Sequence, residues 1–562
     1  VIDAVPLRIA LGCMRLSTQD DRDEARGLAT LRAALDAGVT IFDTARAYAW
    51  NDGELGHNER LLARAIAESG RSSIRIVTKG GMRRPGGLWE PDGRARAIRE
   101  DCLGSLQALG GLPVDLYLLH APDPKVSWAV SVRALARLLD EGKVRRIGVC
   151  NVTRRQLDEA LTLAPIAAVQ IALGPFAEGA LRGGVVARCI ELGIEVLAHS
   201  PLGGPAKASR LTRQKELSAI AERHSVTPQR VALAAIAAIH SAVVPVVGAR
   251  RPETIKDLTA ALALDDDERA LLDERYGWRA ILAPAAPVVT SDRQVVLLMG
   301  LQGSGKSSAA SAWVSRGYAR LCRDEQGGTL KSLHRALGER LAAGERAFVL
   351  DNTYTTRASR QGAIEVARRH GASVVGVWLE TSLPDATRNV IARMLRVHGR
   401  LLEPEEMERA RDPSALPPHA LARTQRELEV PAADEGFSSL ERVAFRRSPR
   451  PGHERAAELI ALEAAEQGAR PGGELALVFG WRPGADSAWV AAREPIFGAS
   501  VRVCSHPGGP PRCWCRPPLP GLLLEFAEKN GVDLARCTVV GTKPIHAAMA
   551  RAVGATYRAV GP

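Results

Sequence analysis

Val295-Val296-Leu297-Leu298-Met299-Gly300-Leu301-Gln302-Gly303-Ser304-Gly305-Lys306-Ser307-Ser308-Ala309-Ala310-Ser311-Ala312-Trp313 decides the fold of the middle of this chain. Five unbroken apolar residues read as a buried strand, and the run from Ser308 reads as a helix. Between them, Gly300 to Ser307 fits G-x-x-x-x-G-K-[ST] at every fixed position. Gly300, Gly303, Ser304 and Gly305 let successive backbone N–H groups curl around a phosphate, and the helix N-terminus adds partial positive charge. Lys306 is expected at the outer phosphates and Ser307 at Mg²⁺, with Ser308 continuing the same turn. Strand, loop and helix together predict a domain that binds ATP or GTP.

The whole chain of 562 residues is too long for one domain. Its 46% hydrophobic and 25% charged residues are ordinary for a soluble globular protein. A net charge of +12, carried by Arg far more than by Lys, permits a polyanionic partner. Nine cysteines, an odd number, suit a reducing compartment better than a disulfide framework. No basic-then-apolar leader opens the chain. The longest apolar stretch, 231–248, is interrupted by His240, Ser241 and Pro245, so it reads as a buried helix running into a strand. The expectation is a cytoplasmic protein with no membrane contact.

Two joints divide the sequence. Residues 283–292 read as a linker, and a second joint falls near Arg446-Arg447-Ser448-Pro449-Arg450-Pro451-Gly452. The expected α/β segments are therefore 1–282, 293–446 and 447–562. In the first, apolar runs at 7–11, 39–42, 74–77, 116–119, 147–149, 167–169, 194–198 and 243–247 alternate with helix-length segments. Eight strands in a βα rhythm favour a (β/α)₈ TIM barrel, whose chemistry sits where the strands end.

At those ends stand Asp43, Tyr48, Lys79 and His120. Together with Phe42-Asp43-Thr44-Ala45, Asn58-Glu59-Arg60-Leu61-Leu62, Val77-Thr78-Lys79-Gly80 and Asp115-Leu116-Tyr117-Leu118-Leu119-His120, they resemble the catalytic tetrad of the aldo-keto reductases. The resemblance implies reduction of a small carbonyl substrate by NADPH, with Tyr48 as proton donor. A free phenol titrates near ~10, so the ammonium of Lys79, held by Asp43, is expected to lower the pKa of Tyr48. His120 would orient the carbonyl oxygen. The family also implies cofactor contacts at Asn151, Gln170, Ser200, Leu202, Gly203, Gly248, Arg250 and Arg251, the arginines at the 2′-phosphate. One departure stands out. Gln170-Ile171-Ala172-Leu173 lacks the aromatic that the family pattern is expected to stack on the nicotinamide.

Beyond the phosphate loop, Arg323-Asp324-Glu325 and Thr329-Leu330-Lys331 precede a strand ending in Asp351-Asn352-Thr353, with Arg357 and Arg360 in the next helix. The layout resembles polynucleotide kinases, which phosphorylate 5′-hydroxyl ends of RNA or DNA. Asp324 then matches the general base, Lys306 stabilises the transferring phosphoryl group, and Arg357, Arg393 and Arg396 contact substrate. Arg388, Arg393, Arg396 and Arg400 loosely match an arginine-bearing lid. Arg426-Glu427-Leu428-Glu429 and Glu435-Gly436-Phe437 also fit the ending of that family. A nucleotide-gated scaffold that has lost its chemistry, and a small-molecule kinase coupled to carbonyl reduction, are the alternatives.

In the last segment, Cys504, His506, Cys513 and Cys515, looped through Gly508 to Pro511, suit a closed tetrahedral Zn²⁺ site. Cys515-Arg516-Pro517-Pro518-Leu519-Pro520-Gly521 and Cys537-Thr538-Val539-Val540-Gly541 resemble zinc-containing bisphosphate phosphatases of the haloacid dehalogenase superfamily. The nucleophile is absent: Leu475-Ala476-Leu477-Val478-Phe479 leads into Gly480-Trp481-Arg482, and Thr542 stands where a metal-binding Asp belongs. The resemblance thus implies a degenerate module. Kinase and phosphatase-like segments in one chain suggest nucleic-acid end repair, by analogy.

Overall fold

The computed structural model describes all residues except 1–7, 261, 283–290, 411, 449–450, 510–511 and 561–562. Most of the expected linker therefore lies outside the described residues. So do Leu7 of the first expected strand, Pro449 and Arg450 of the second joint, and Pro510 and Pro511 of the Cys/His loop. The chain divides into two compact units, Val1–Pro284 and Ala285–Pro562. Among the described residues no helix is long and apolar enough to cross a membrane.

Eight parallel strands close the first unit into a barrel: β1 (Ala10–Gly12), β2 (Ile41–Asp43), β3 (Arg75–Gly80), β4 (Leu116–Leu119), β5 (Ile147–Cys150), β6 (Ile166–Ala172), β7 (Glu195–His199) and β8 (Val243–Gly248). β1 pairs with both β2 and β8, completing the ring. Every strand overlaps its expected run, because each run is mostly apolar, with Arg8, Thr40, Arg75 and Glu195 the polar interruptions. Ala10, Ile41, Val77, Leu116, Leu118, Ala168, Leu197 and Val244 fill the interior. A second apolar layer packs the outer strand faces against the helices. Interior packing is tight enough that a Cβ on Gly148 would meet the carbonyl oxygen of Ala168 at 2.3 Å.

The second unit holds two five-stranded sheets, both wholly parallel. One comprises β9 (Gln294–Met299), β10 (Ala319–Leu321), β11 (Ala347–Asp351), β12 (Ser373–Glu380) and β13 (Ser439–Ala444), ordered β10-β11-β9-β12-β13. The other comprises β14 (Glu458–Ala461), β15 (Ala476–Trp481), β16 (Ser500–Cys504), β17 (Thr538–Gly541) and β18 (Thr556–Ala559), ordered β16-β15-β14-β17-β18. In each, the first strand is central and the chain leaves it to both sides, which opens a crevice at its C-terminal end. The apolar run 475–479, after which the nucleophile was found missing, falls in this sheet. It is β15, the second strand, and the central position belongs to β14. There too the chain runs Ala461-Leu462-Glu463, without the Asp-x-Asp.

Seven helices of this unit matter below: α1 (Lys306–Val314), α2 (Arg357–Arg369), α3 (Leu383–His398), α4 (Pro404–Arg409), α5 (Pro418–Glu427), α6 (Gly521–Asn530) and α7 (Pro544–Val553). The expected joint near 446–452 falls between the two sheets, which belong to one compact unit. Trp514, 2% exposed, lies in one apolar cluster with Leu301, Ala386, Val390, Met394, Met407 and Leu421. Its indole N–H donates to the carbonyl of Leu416 at 2.8 Å. A Cβ on Gly521 would strike the carbonyl oxygen of Trp514 at 2.5 Å and a Leu401 methyl at 3.1 Å, so this approach requires glycine.

Candidate functional sites

At the C-terminal mouth of the barrel, the ammonium of Lys79 is wholly buried and fully coordinated. It lies 2.8 Å from Asp43 Oδ1 and donates at 2.9 Å to the Thr44 carbonyl and to the Tyr48 hydroxyl. Gln170 Nε2 donates to Asp43 at 2.6 Å, which places that amide behind the acid–lysine pair. Burial by itself would push the Lys79 pKa down. The charge of Asp43 and the oxygen of Tyr48 outweigh it, and the net shift is upward.

Tyr48 corrects one expectation. Desolvation raises its pKa more than Lys79 lowers it, so the phenol is held protonated and not driven toward phenolate. His120 packs edge-on against Tyr48, ring centroids 5.6 Å apart, with its Nδ1 buried and without a partner. Burial first, and Lys79 second, keep the His120 pKa well below the ordinary imidazole value, so the ring is neutral.

Asn151, in the left-handed region at φ 55°, donates to the His120 carbonyl at 3.3 Å and lies 2.9 Å from His199 Nε2. Ser200, at φ 52°, contacts the other nitrogen of His199 at 3.1 Å. His199 is therefore the ring at this end of the mouth, and sequence reasoning missed it. Leu173, where an aromatic was sought, is fully buried in the outer core.

Around the rim the remaining residues fit an anionic dinucleotide. Gly203, at φ 73°, holds the turn after Leu202, where a Cβ would meet Phe176 at 2.7 Å. Gly248 ends β8, where a Cβ would lie 3.6 Å from the Gly12 carbonyl oxygen, and Arg250 and Arg251 follow, directly before the helix Pro252–Thr259. Arg250 pairs with Asp21 at 2.5 Å.

In the second unit, a cavity of about 800 Å³ opens at the C-terminal end of β9. Gly303, Gly305, Lys306, Ser307 and Ser308 line it on one side, Arg323, Asp324, Asp351 and Asn352 on another, and Arg393 and Arg396 of α3 on a third. Gly300 and Gly303 have positive φ, and side chains there would strike Ser304 Oγ at 2.6 Å and the Ala386 carbonyl at 2.6 Å. The loop thus closes on itself only with glycine. Lys306 donates to the carbonyls of Gly300 and Leu301 at 3.0 and 2.6 Å. Burial pushes its pKa down to about 8, with Asp351 opposing. Asp351 is salt-bridged to Arg320.

Arg357 is corrected: its guanidinium pairs with Asp434 at 3.0 Å and does not line the cavity. Arg360 is buried against Glu435 at 2.6 Å, and Arg400 pairs with Glu406. Arg388 lies near Asp385, Arg447 and Asp533. Of the four lid arginines, only Arg393 and Arg396 face the cavity, since only they share the inner side of α3.

Cys504 Sγ, His506 Nδ1, Cys513 Sγ and Cys515 Sγ all lie within 4.8 Å of one another. His506 Nδ1 is 3.3 Å from the sulfurs of Cys504 and Cys515, and its Nε2 contacts Glu403 Oε2 at 2.7 Å. A carboxylate on the outer nitrogen fixes the ring with Nδ1 turned to the sulfurs, the orientation a metal-ligating histidine requires. Glu403 directly precedes α4, whose Met407 lines the phosphate-loop cavity.

Comparison with known proteins finds similarity in two parts of the chain. Residues 8–276 match the aldo/keto reductase family model, and residues 295–431 match an AAA domain model. Probable aldo-keto reductase 1 of Glycine max is 29% identical over 296 residues, covering 47% of this chain and 83% of that protein. Among solved structures, the glycerol dehydrogenase of Gluconobacter oxydans is 26% identical, covering 52% of this chain and 97% of its own, with a TM-score of 0.42. An aldo/keto reductase from Klebsiella pneumoniae in complex with NADP and acetate is 26% identical, covering 48% and 91%, with a TM-score of 0.41. The chain carries an aldo/keto reductase domain followed by an AAA-type P-loop nucleotide-binding domain.

The depressed pKa of Lys306 has a measurable sign. Its ordinary value is 10.5 and burial brings it to about 8, so above that pH the free loop holds a neutral amine. Phosphate favours the ammonium, and binding must then take up a proton. Calorimetry of ATP binding near pH 9, in buffers of different ionisation enthalpy, is expected to show that uptake. Affinity should fall by about tenfold per further pH unit, since each proton is one factor in the constant. Lys306→Arg should remove the dependence.

Proposed function

We propose that this protein joins NADPH-dependent carbonyl reduction to ATP-dependent phosphorylation of 5′-hydroxyl nucleic-acid ends, in a reducing compartment such as the cytoplasm. The observation that carries the first activity is one buried ammonium bonded at once to Asp43 and to the Tyr48 hydroxyl. NADPH, when bound, supplies the hydride. Tyr48, kept protonated by burial, gives its O–H proton to the carbonyl oxygen as that oxygen gains the electron pair of the C=O bond. Lys79 then stabilises the phenolate left behind, at 2.9 Å, and neutral His120 donates a hydrogen bond to the same oxygen. Arg250 and Arg251 would hold the 2′-phosphate, and Asn151 the nicotinamide amide. Tyr48→Phe should cut turnover by at least about a hundredfold while NADPH still binds, since only the proton donor is lost. Unchanged turnover would dismiss the tetrad.

The second activity rests on Lys306, Asp324, Arg393 and Arg396 lining one cavity. A 5′-hydroxyl oxygen attacks the γ-phosphorus of ATP, its proton passes to Asp324, and the bond to the leaving ADP oxygen breaks. The arginines neutralise charge on the transferring group, and Ser307 would hold Mg²⁺. Asp324→Asn should keep ATP binding and slow transfer by about 10²–10⁴-fold. Labelled ATP offered to 5′-hydroxyl oligonucleotides, nucleosides and sugars decides the acceptor. A smaller adjoining cavity of about 190 Å³, lined by Arg323, Tyr354, Arg423 and Glu427, favours the second reading, a small-molecule kinase. Label on a nucleoside or sugar alone would establish that reading.

For the tail, the Cys/His cluster fits a structural Zn²⁺, because four protein ligands leave no position for water. A degenerate phosphatase-like module is supported by the end of β14, where Glu463 pairs with Lys543 at 2.7 Å and no carboxylate pair stands. Elemental analysis should find one zinc per chain. Its removal should make residues 403–417 more sensitive to protease, since His506 would lose its hold on Glu403. Absence of zinc, or an unchanged cleavage pattern, counts against the site.

A further inference from the structure

The barrel mouth contains a second cation that the reduction chemistry does not use. Arg84 is only 4% exposed. Its Nε donates to the carbonyl of Ala49, the residue after Tyr48, at 3.2 Å, and its backbone N–H donates to Asp52 Oδ1 at 2.6 Å. Among the described residues its Nη1 is buried with no hydrogen-bond partner. Among the described residues no carboxylate lies within ion-pair distance of this guanidinium, whereas its neighbour Arg83 pairs with Asp92 and Asp101. Asp52 favours its charge from a distance, but a buried guanidinium without a paired acid is costly unless a ligand completes it.

The surroundings say where that ligand would sit. The indole of Trp89 covers the guanidinium, with Cζ 3.9 Å from the ring centroid. The same indole packs edge-on against Tyr48 at 6.2 Å and His120 at 5.7 Å. Arg84 and the proton donor therefore flank one side chain, Trp89, which is 43% exposed.

We infer that Arg84 is an anion subsite of the carbonyl pocket, and that the preferred substrate is an oxo acid. Its carboxylate meets Arg84 while its carbonyl oxygen meets Tyr48 and His120. The inference builds on the reductase reading and narrows its substrate class.

The test compares para-carboxybenzaldehyde with methyl para-formylbenzoate, which differ in charge at one end. With the full-length protein and NADPH, kcat/KM should favour the acid by about ten- to a hundredfold, the value of a charged hydrogen bond. Arg84→Met should collapse that ratio toward one, and Arg84→Lys should restore part of it. No preference in the natural protein, or equal losses on both aldehydes in Arg84→Met, would overturn the inference. NADPH binding by each variant reports that the barrel is folded. If neither aldehyde is reduced, the reductase reading fails by itself. Calorimetry with the same two compounds then judges the subsite: tighter binding of the acid, lost in Arg84→Met, upholds it, and equal binding overturns it.

Discussion

Parallel strand pairing is the constraint on which everything else in this protein rests. All eighteen strands of the barrel and the two open sheets pair only in parallel. Each must therefore be followed by a return crossover, and the returning helices cover the sheet faces. The faces become apolar, and polar residues gather where the strands end. Asp43 closes β2, Lys79 lies one residue from the end of β3, His120 follows β4, and the phosphate loop follows β9. Two unrelated chemistries share one address because the hydrogen-bond geometry leaves no other.

Two lysines illustrate how that address tunes charge. Lys79 and Lys306 are both enclosed, and burial penalises both ammonium groups. At Lys79 a carboxylate and a phenol oxygen stand within 2.9 Å, and the ammonium is favoured. At Lys306 the direct partners are neutral carbonyls, and the penalty wins. The first is a fixed element of its site. The second waits for the charge its ligand brings.

What could be read from the sequence follows the range of the interactions involved. The barrel strands, the tetrad and the phosphate loop were legible because each is a local pattern: an apolar run, a residue at its end, glycines at fixed spacing. The arginines of α2 and α3 were not, because helix facing decides whether Arg393 or Arg388 meets the cavity, and Arg357 and Arg360 are spent on Asp434 and Glu435 far along the chain. His199 was hidden at a strand end read only as a run into a loop, and the search for an aromatic fell on Leu173, a core residue. The protonation of Tyr48 depended on how deeply it is enclosed, which spacing does not encode. Arg84 is one arginine among many in the sequence. Only folding shows that, among the described residues, no carboxylate pairs with its guanidinium.

Trp514 carries a consequence for how the protein is made. Met407, Ala410, Asp412, Pro413, Ala415, Leu416 and Pro417 form a wall of the phosphate-loop cavity, and that wall leans on an indole about a hundred positions later, held in place by Gly521. A ribosome releases the loop, the sheet strands and α3 well before it releases Trp514. Until then Leu416 lacks its donor and Met407 and Leu421 lack the indole they pack against. The nascent chain can finish its barrel early, but it completes its phosphate-loop cavity only after Trp514 and Gly521 have emerged.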